Sequence, residues 1–188
     1  MEYVEGHTLR QLAADCNFDE YNVLVIAYEV ARALQDIWNN FSIIHRDIKP
    51  ENIMVDSSGY IKLLDFGISK AKDTVQETNL TMDNTILGTL GYMSPEQFVN
   101  AKSATIQADM FSLGATLFYL LTNTVPFTGA DLAEVYRNTC ENTPPNLKQY
   151  RSDISSRFMQ FLSRMMQRDV SGRYNSWDEV ITELQTMM

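Results

Sequence analysis

His45-Arg46-Asp47-Ile48-Lys49-Pro50-Glu51-Asn52, with Asp65-Phe66-Gly67 following thirteen residues after Asn52, is the stretch whose reading decides the fold. Ile53-Met54-Val55 and Ile61-Lys62-Leu63-Leu64 between these motifs read as two short strands. Asp56-Ser57-Ser58-Gly59 supplies the turn residues, so residues 53–64 are expected to form a hairpin. A hairpin returns its ends to one place. Asp47, Lys49, Asn52 and Asp65 are therefore expected to converge.

Outward from that hairpin the pattern is helical. Val23, Ile26, Val30, Ala33, Leu34 and Ile37 recur at spacings of three and four, which predicts a helix over 20–40. Residues 109–122 are apolar nearly all round and predict a helix at the centre of the domain. Further helices are expected at 95–101, 131–140, 155–167 and 177–187, the last with Ser176 and Glu179 at capping-box spacing. Pro144-Pro145 marks a break before 146–151. Residues 69–87 are polar, Thr-rich and aperiodic, and read as a long loop. Nothing resembling a linker divides the chain, so one mainly helical unit with a small hairpin is expected.

With 188 residues, 45% of them apolar and 21% charged, the chain is long and apolar enough to bury a core. The net charge of −9 argues against nucleic acid as a partner. It leaves room for a nucleotide site, where a few local cations and Mg²⁺ outweigh the global sign. Leu113 to Leu121, the longest apolar run, is broken by Gly114 and Thr116 and is too short to span a bilayer. Cys16 and Cys140 lack metal-ligand spacing and are too few for a disulfide framework, which suggests a reduced, cytoplasmic setting. The start, Met1-Glu2-Tyr3-Val4-Glu5-Gly6, does not read as a signal peptide.

The converging residues suit phosphoryl transfer from ATP. That reaction needs a carboxylate to orient the attacking hydroxyl, a cation at the transferring phosphate and oxygen ligands for Mg²⁺. Asp47 can accept the hydroxyl proton, Lys49 can reach the γ-phosphate, and Asn52 and Asp65 can hold metal ions. Taken singly, Asp47 or Asp65 would more often be a turn residue or cap, and His45 a core histidine. Seven identities in fixed order arise by chance at roughly 10⁻⁹ per starting point at ~5% per residue. The set, and no single member, carries the reading.

His45-Arg46-Asp47 with Asn52, and Asp65-Phe66-Gly67, resemble the catalytic loop and metal motif of the eukaryotic-like serine/threonine protein kinases. The resemblance covers essentially the whole chain and implies the helical C-terminal lobe of that fold: 1–9 as hinge, 45–52 as catalytic loop and 65–96 as activation segment. Lys49 is what the serine/threonine class carries. Gly88 to Glu96 resembles the end of the activation segment, with Ser94 in place of the commoner Ala. By the resemblance, Thr89 contacts Asp47 and Lys49. It pairs Glu96 with Arg173 and gives Asp109 the task of fixing the backbone of the His-Arg-Asp turn. It also implies that Glu2 and Val4 offer backbone groups to adenine, with Met1 as gatekeeper, Thr8 near the ribose and Met54 in the adenine floor. An amphipathic helix start is an equally good reading of residues 1–9. Arg46 marks kinases controlled by activation-loop phosphorylation, with Thr85 as the leading phosphosite and Thr74, Thr78 and Thr81 as further candidates.

The Gly-rich loop, the strand lysine and its helix glutamate find no match in these residues. The expectation is a kinase fragment lacking the N-terminal lobe, with little activity alone, acting on protein substrates with ATP and Mg²⁺. The alternative is a catalytically inactive kinase-like binding or regulatory module. A cleft without its second lobe would expose Met1, Val4, Met54 and Leu63 and invite self-association. Neither nucleic acid nor membrane is expected as a partner.

Overall fold

The computed structural model describes residues 5–65, 88–100, 104–141 and 144–188. The chain opens with β1 (Gly6–Thr8), α1 (Leu9–Asp15) and α2 (Glu20–Phe41). A 3₁₀ turn, Pro50–Asn52, leads into β2 (Ile53–Asp56) and β3 (Ile61–Leu63). Then come α3 (Pro95–Asn100), α4 (Ile106–Thr122), α5 (Leu132–Glu141), α6 (Ser156–Met165) and α7 (Trp177–Gln185).

The expected hairpin is present. β2 pairs antiparallel with β3, Ile53 opposite Leu63 and Val55 opposite Ile61. Its turn is closed by the Asp56 carboxylate, which accepts the Ser58 and Tyr60 N–H groups at 2.9 Å each, and Gly59 takes φ +86°. β1 adds a third antiparallel strand on the other side of β2, Thr8 opposite Met54.

β1 and α1 are the elements that hydrophobic periodicity missed. Their start signal is polar. The Thr8 hydroxyl accepts the Gln11 N–H (3.2 Å) and the Gln11 side chain accepts the Thr8 N–H (2.8 Å), a reciprocal box that satisfies two donors. α2 begins on a similar box between Asp19 and Asn22 and ends at Ser42, in the left-handed region at φ +53°. At α7 only half of the expected box forms. The Ser176 hydroxyl accepts the Glu179 N–H (3.3 Å), but the Glu179 carboxylate turns to the Asn175 N–H (3.2 Å) and to Arg164 (3.3 Å).

α4 is the axis of the molecule. Every residue from Ala108 to Leu121 is buried, as its uniformly apolar sequence requires. It packs between α2 and α6, and α7 closes over α2. The core is continuous from Leu9 through α2, Ile48 and Ile53, α4 and α6 to Leu184. Met54 and Leu63, expected to be exposed, are half-buried, and Leu63 packs against this core. Met1 and Val4, the other members of that patch, lie outside the described residues. No described helix is long and apolar enough to cross a membrane.

Gly114 lets α6 approach α4. A Cβ there would stand 2.9 Å from Met165 Cβ and 2.9 Å from Met166 Cγ. Gly114→Ala is therefore expected to destabilise by about 1–3 kcal/mol through overpacking, despite alanine's better helix propensity. Denaturant unfolding checks this: a midpoint equal to or above wild type contradicts the close packing.

Candidate active site

The 45–52 loop is built from its backbone outward. Asp109, in the first turn of α4 and only 2% exposed, spends both carboxylate oxygens on it. Oδ2 accepts the His45 N–H at 2.8 Å and Oδ1 the Arg46 N–H at 2.7 Å. Arg46 is held in the left-handed region, φ +68°, which costs a non-glycine residue roughly 1–2 kcal/mol. Its carbonyl accepts Gln97 Nε2 at 3.1 Å.

Beyond Arg46 the side chains alternate. Ile48 is buried at 1% exposure and anchors the loop in the core, which sends Asp47 and Lys49 to the opposite side. Lys49 Nζ lies 3.4 Å from Asp47 Oδ2, with both side chains largely shielded. Asn52 Nδ2 donates to Asp47 Oδ2 and to the Asp47 carbonyl, at 2.8 Å each. Both amide hydrogens being committed, the chemistry left to Asn52 is that of an oxygen donor. The Leu64 N–H donates to the Asn52 carbonyl at 2.8 Å, so the hairpin closes and brings Asp65 beside the loop. Asp65 is exposed and also left-handed, φ +50°. Asp47, Lys49 and Asn52 thus touch one another, and the hairpin returns Leu64, the residue before Asp65, to Asn52.

Among the described residues no three His, Cys, Asp or Glu side chains gather into a metal cage. Two oxygen donors, Asn52 and Asp65, suit Mg²⁺, which keeps several waters and takes the rest of its shell from phosphate oxygens.

Burial sets the electrostatics. It depresses the pKa of His45, with Asp47 pulling the other way, so the ring is neutral at physiological pH. It raises Asp109 to about 6, against the two N–H donors that favour the carboxylate.

Glu96, in the first turn of α3, meets Arg173 in a bidentate pair of 2.7 and 2.9 Å. Arg173 is 1% exposed and commits its remaining N–H groups to the carbonyls of Gln107, Gln167 and Arg168. Thr89 lies half-buried in the turn that leads to Ser94, its carbonyl accepting the Tyr92 N–H at 3.4 Å. Thr8 and Met54 are cross-strand neighbours, and the Thr8 hydroxyl is engaged in capping α1. Glu2, Val4, Phe66, Gly67 and the threonines 74, 78, 81 and 85 lie outside the described residues.

One residue at the site escaped sequence reasoning. Gln97 is 5% exposed; its Oε1 accepts the Ser94 N–H (3.1 Å) and hydroxyl (2.9 Å) while its Nε2 reaches Arg46. The signal available was Ser94-x-x-Gln97, the spacing of a capping box.

Residues 1–184 match the family model described as protein kinase domain. The chain is 33% identical over 187 residues to the probable serine/threonine-protein kinase PknB of Lactococcus lactis, covering 99% of this chain and 29% of that protein. To the serine/threonine-protein kinase PrkC of Bacillus subtilis it is 32% identical over 187 residues, covering 99% of this chain and 28% of that protein. It therefore spans less than a third of the length of these relatives. Among solved structures, Rad53 1–466 in complex with AMP-PNP superposes with a TM-score of 0.74 at 26% identity, over 97% of this chain and 45% of that one.

The two carboxylate anchors, Glu96 and the fully buried Asp109, are expected to behave differently. Glu96→Ala leaves the Arg173 charge buried and unpaired, and should cost about 3–5 kcal/mol. Asp109 has a folded-state pKa of about 6, above its unfolded value. The folded state then holds the extra proton between about pH 4 and 6, so this group's contribution falls as pH rises through that window and is flat above it. Asp109→Asn should remove that slope. Urea unfolding of the three proteins from pH 4 to 8 checks both; an unchanged slope in Asp109→Asn contradicts the assignment.

Proposed function

The chain belongs to the protein kinase domain family, and from that premise we propose that the protein transfers the γ-phosphate of ATP to serine and threonine hydroxyls of protein substrates, with Mg²⁺ as the metal. The observation that carries the reading is the Asp47 carboxylate, fixed by Asn52 at 2.8 Å and by Lys49 at 3.4 Å on one side of an anchored loop. A carboxylate so restrained can receive a hydroxyl in one orientation and accept its proton. Lys49 supplies positive charge beside that point, for the phosphoryl oxygens. Asn52 and Asp65 present oxygen donors from the two ends of the hairpin. ATP supplies the transferable phosphoryl group and Mg²⁺ neutralises its charge.

In this reading residues 1–9 form the hinge, with the Glu2 carbonyl and Val4 amide toward adenine and Thr8 and Met54 beside the nucleotide. Residues 65–96 form the activation segment, in which Thr89 supports Asp47 and Lys49. Glu96, Asp109 and Arg173 are structural. Burial of Asp109 and Arg173 at 2% and 1% exposure supports that division. Phosphate on Thr85 would carry close to two negative charges, and the Arg46 guanidinium is its proposed partner. Mass spectrometry after incubation with an active kinase should find phosphate on Thr85; an unmodified 74–89 segment contradicts the switch.

Radiolabelled transfer from ATP to a panel of serine and threonine peptides, by the full-length protein, tests the reaction itself. Asp47→Asn is expected to lower kcat roughly 10²–10⁴-fold with nucleotide binding retained. Asp65→Asn should lose the Mg²⁺ dependence of nucleotide binding. A wild-type rate no higher than that of Asp47→Asn overturns the assignment and favours a binding module.

A further inference from the structure

The Arg46 carbonyl belongs to the peptide unit that carries the Asp47 N–H and leads into the Asp47 Cα. Whatever holds that carbonyl holds the plane from which the Asp47 side chain projects. The N-terminal side of Arg46 is secured by Asp109, at 2.7 Å to its N–H. The C-terminal side is secured by Gln97, at 3.1 Å to its carbonyl. A left-handed residue at φ +68° has a lower-energy alternative nearby, so both clamps are needed to keep it.

Gln97 suits this place for a chemical reason. Its oxygen accepts two donors from Ser94, itself 0% exposed, and its nitrogen donates to Arg46. Glutamate can do the first and not the second; methionine fills the volume and does neither. Gln97 also follows Glu96, whose bond to Arg173 seats α3 against the core. The turn at Ser94–Gln97 and the orientation of Asp47 are thereby joined through one amide.

We propose that Gln97 is a positioning residue for phosphoryl transfer, holding the Arg46–Asp47 peptide plane so that Asp47 is aligned only when the Ser94–Gln97 turn is seated. This rests on the kinase reading of Asp47, while the clamp itself is a property of the loop. The Gln97 amide bonds to Ser94 and Arg46 rather than to Asp47 itself, and its effect falls on kcat.

The test compares Gln97→Met and Gln97→Glu with wild type in the full-length protein at pH 8. Steady-state kinetics and amide hydrogen exchange over residues 45–48 are read on the same samples. Gln97→Met should lower kcat about 10–100-fold, the scale of a misplaced catalytic group, with the KM for Mg-ATP unchanged. Exchange at 45–48 should rise about tenfold, as expected for one lost buried hydrogen bond. Gln97→Glu keeps the Ser94 side and should resemble Gln97→Met. If Gln97→Met does not fold, the exchange and kcat of Gln97→Glu decide alone. An unchanged kcat, unchanged exchange, or a parallel loss of kcat, KM and thermal stability overturns the proposal. Should wild type show no transfer above Asp47→Asn, the kinase reading fails, and the exchange result still decides whether Gln97 holds the loop.

Discussion

A single buried carboxylate governs the geometry of this molecule. Asp109 sits where the charge of a carboxylate is least welcome, and burial pushes its pKa up. What it provides is a rigid two-point acceptor for two consecutive N–H groups that point into the core. Without an acceptor those groups would be buried donors without partners, a state folded chains avoid. The direction of Asp47, the burial of Ile48 and the return of Lys49 to the same side follow from the turn so fixed. The chemistry at the surface is a consequence of an electrostatic compromise beneath it.

Arg173 plays the complementary part at the other end. Its guanidinium gives all five N–H groups to Glu96 and to the carbonyls of Gln107, Gln167 and Arg168. It also lies over the Phe111 ring, 5.0 Å from the centroid. A point-charge ammonium reproduces none of that fork. α3, the start of α4 and the 167–173 segment are joined by one side chain, and Gln97 rides on the helix it secures.

The parts of this arrangement that depend on repetition were legible in the sequence. The near-uniform apolarity of 109–122 announced a central helix, and the three–four spacing in 20–40 announced its neighbour. The hairpin followed from its turn residues, and the four site residues from their order around it. What escaped depends on single polar side chains choosing among partners. α1 is started by Thr8 and Gln11 across a junction with no apolar periodicity. Glu179 matched a capping pattern, yet Arg164 and Asn175 compete for its carboxylate. Gln97 is a core polar residue whose second partner lies 51 positions away, beyond the reach of any local pattern.

Those long separations impose an order in time. The His45 and Arg46 amides wait for an acceptor 63 or 64 residues later, and Glu96 waits 77 residues for its arginine. At a ribosomal rate of about 5–20 residues per second, the 45–52 loop emerges roughly 3–13 s before Asp109, and longer still before Arg173. Through that interval its backbone has no reason to hold a left-handed turn. The geometry therefore arrives late and together, when Arg173 and α7 have joined the earlier helices, and a nascent chain paused earlier presents the motif without it.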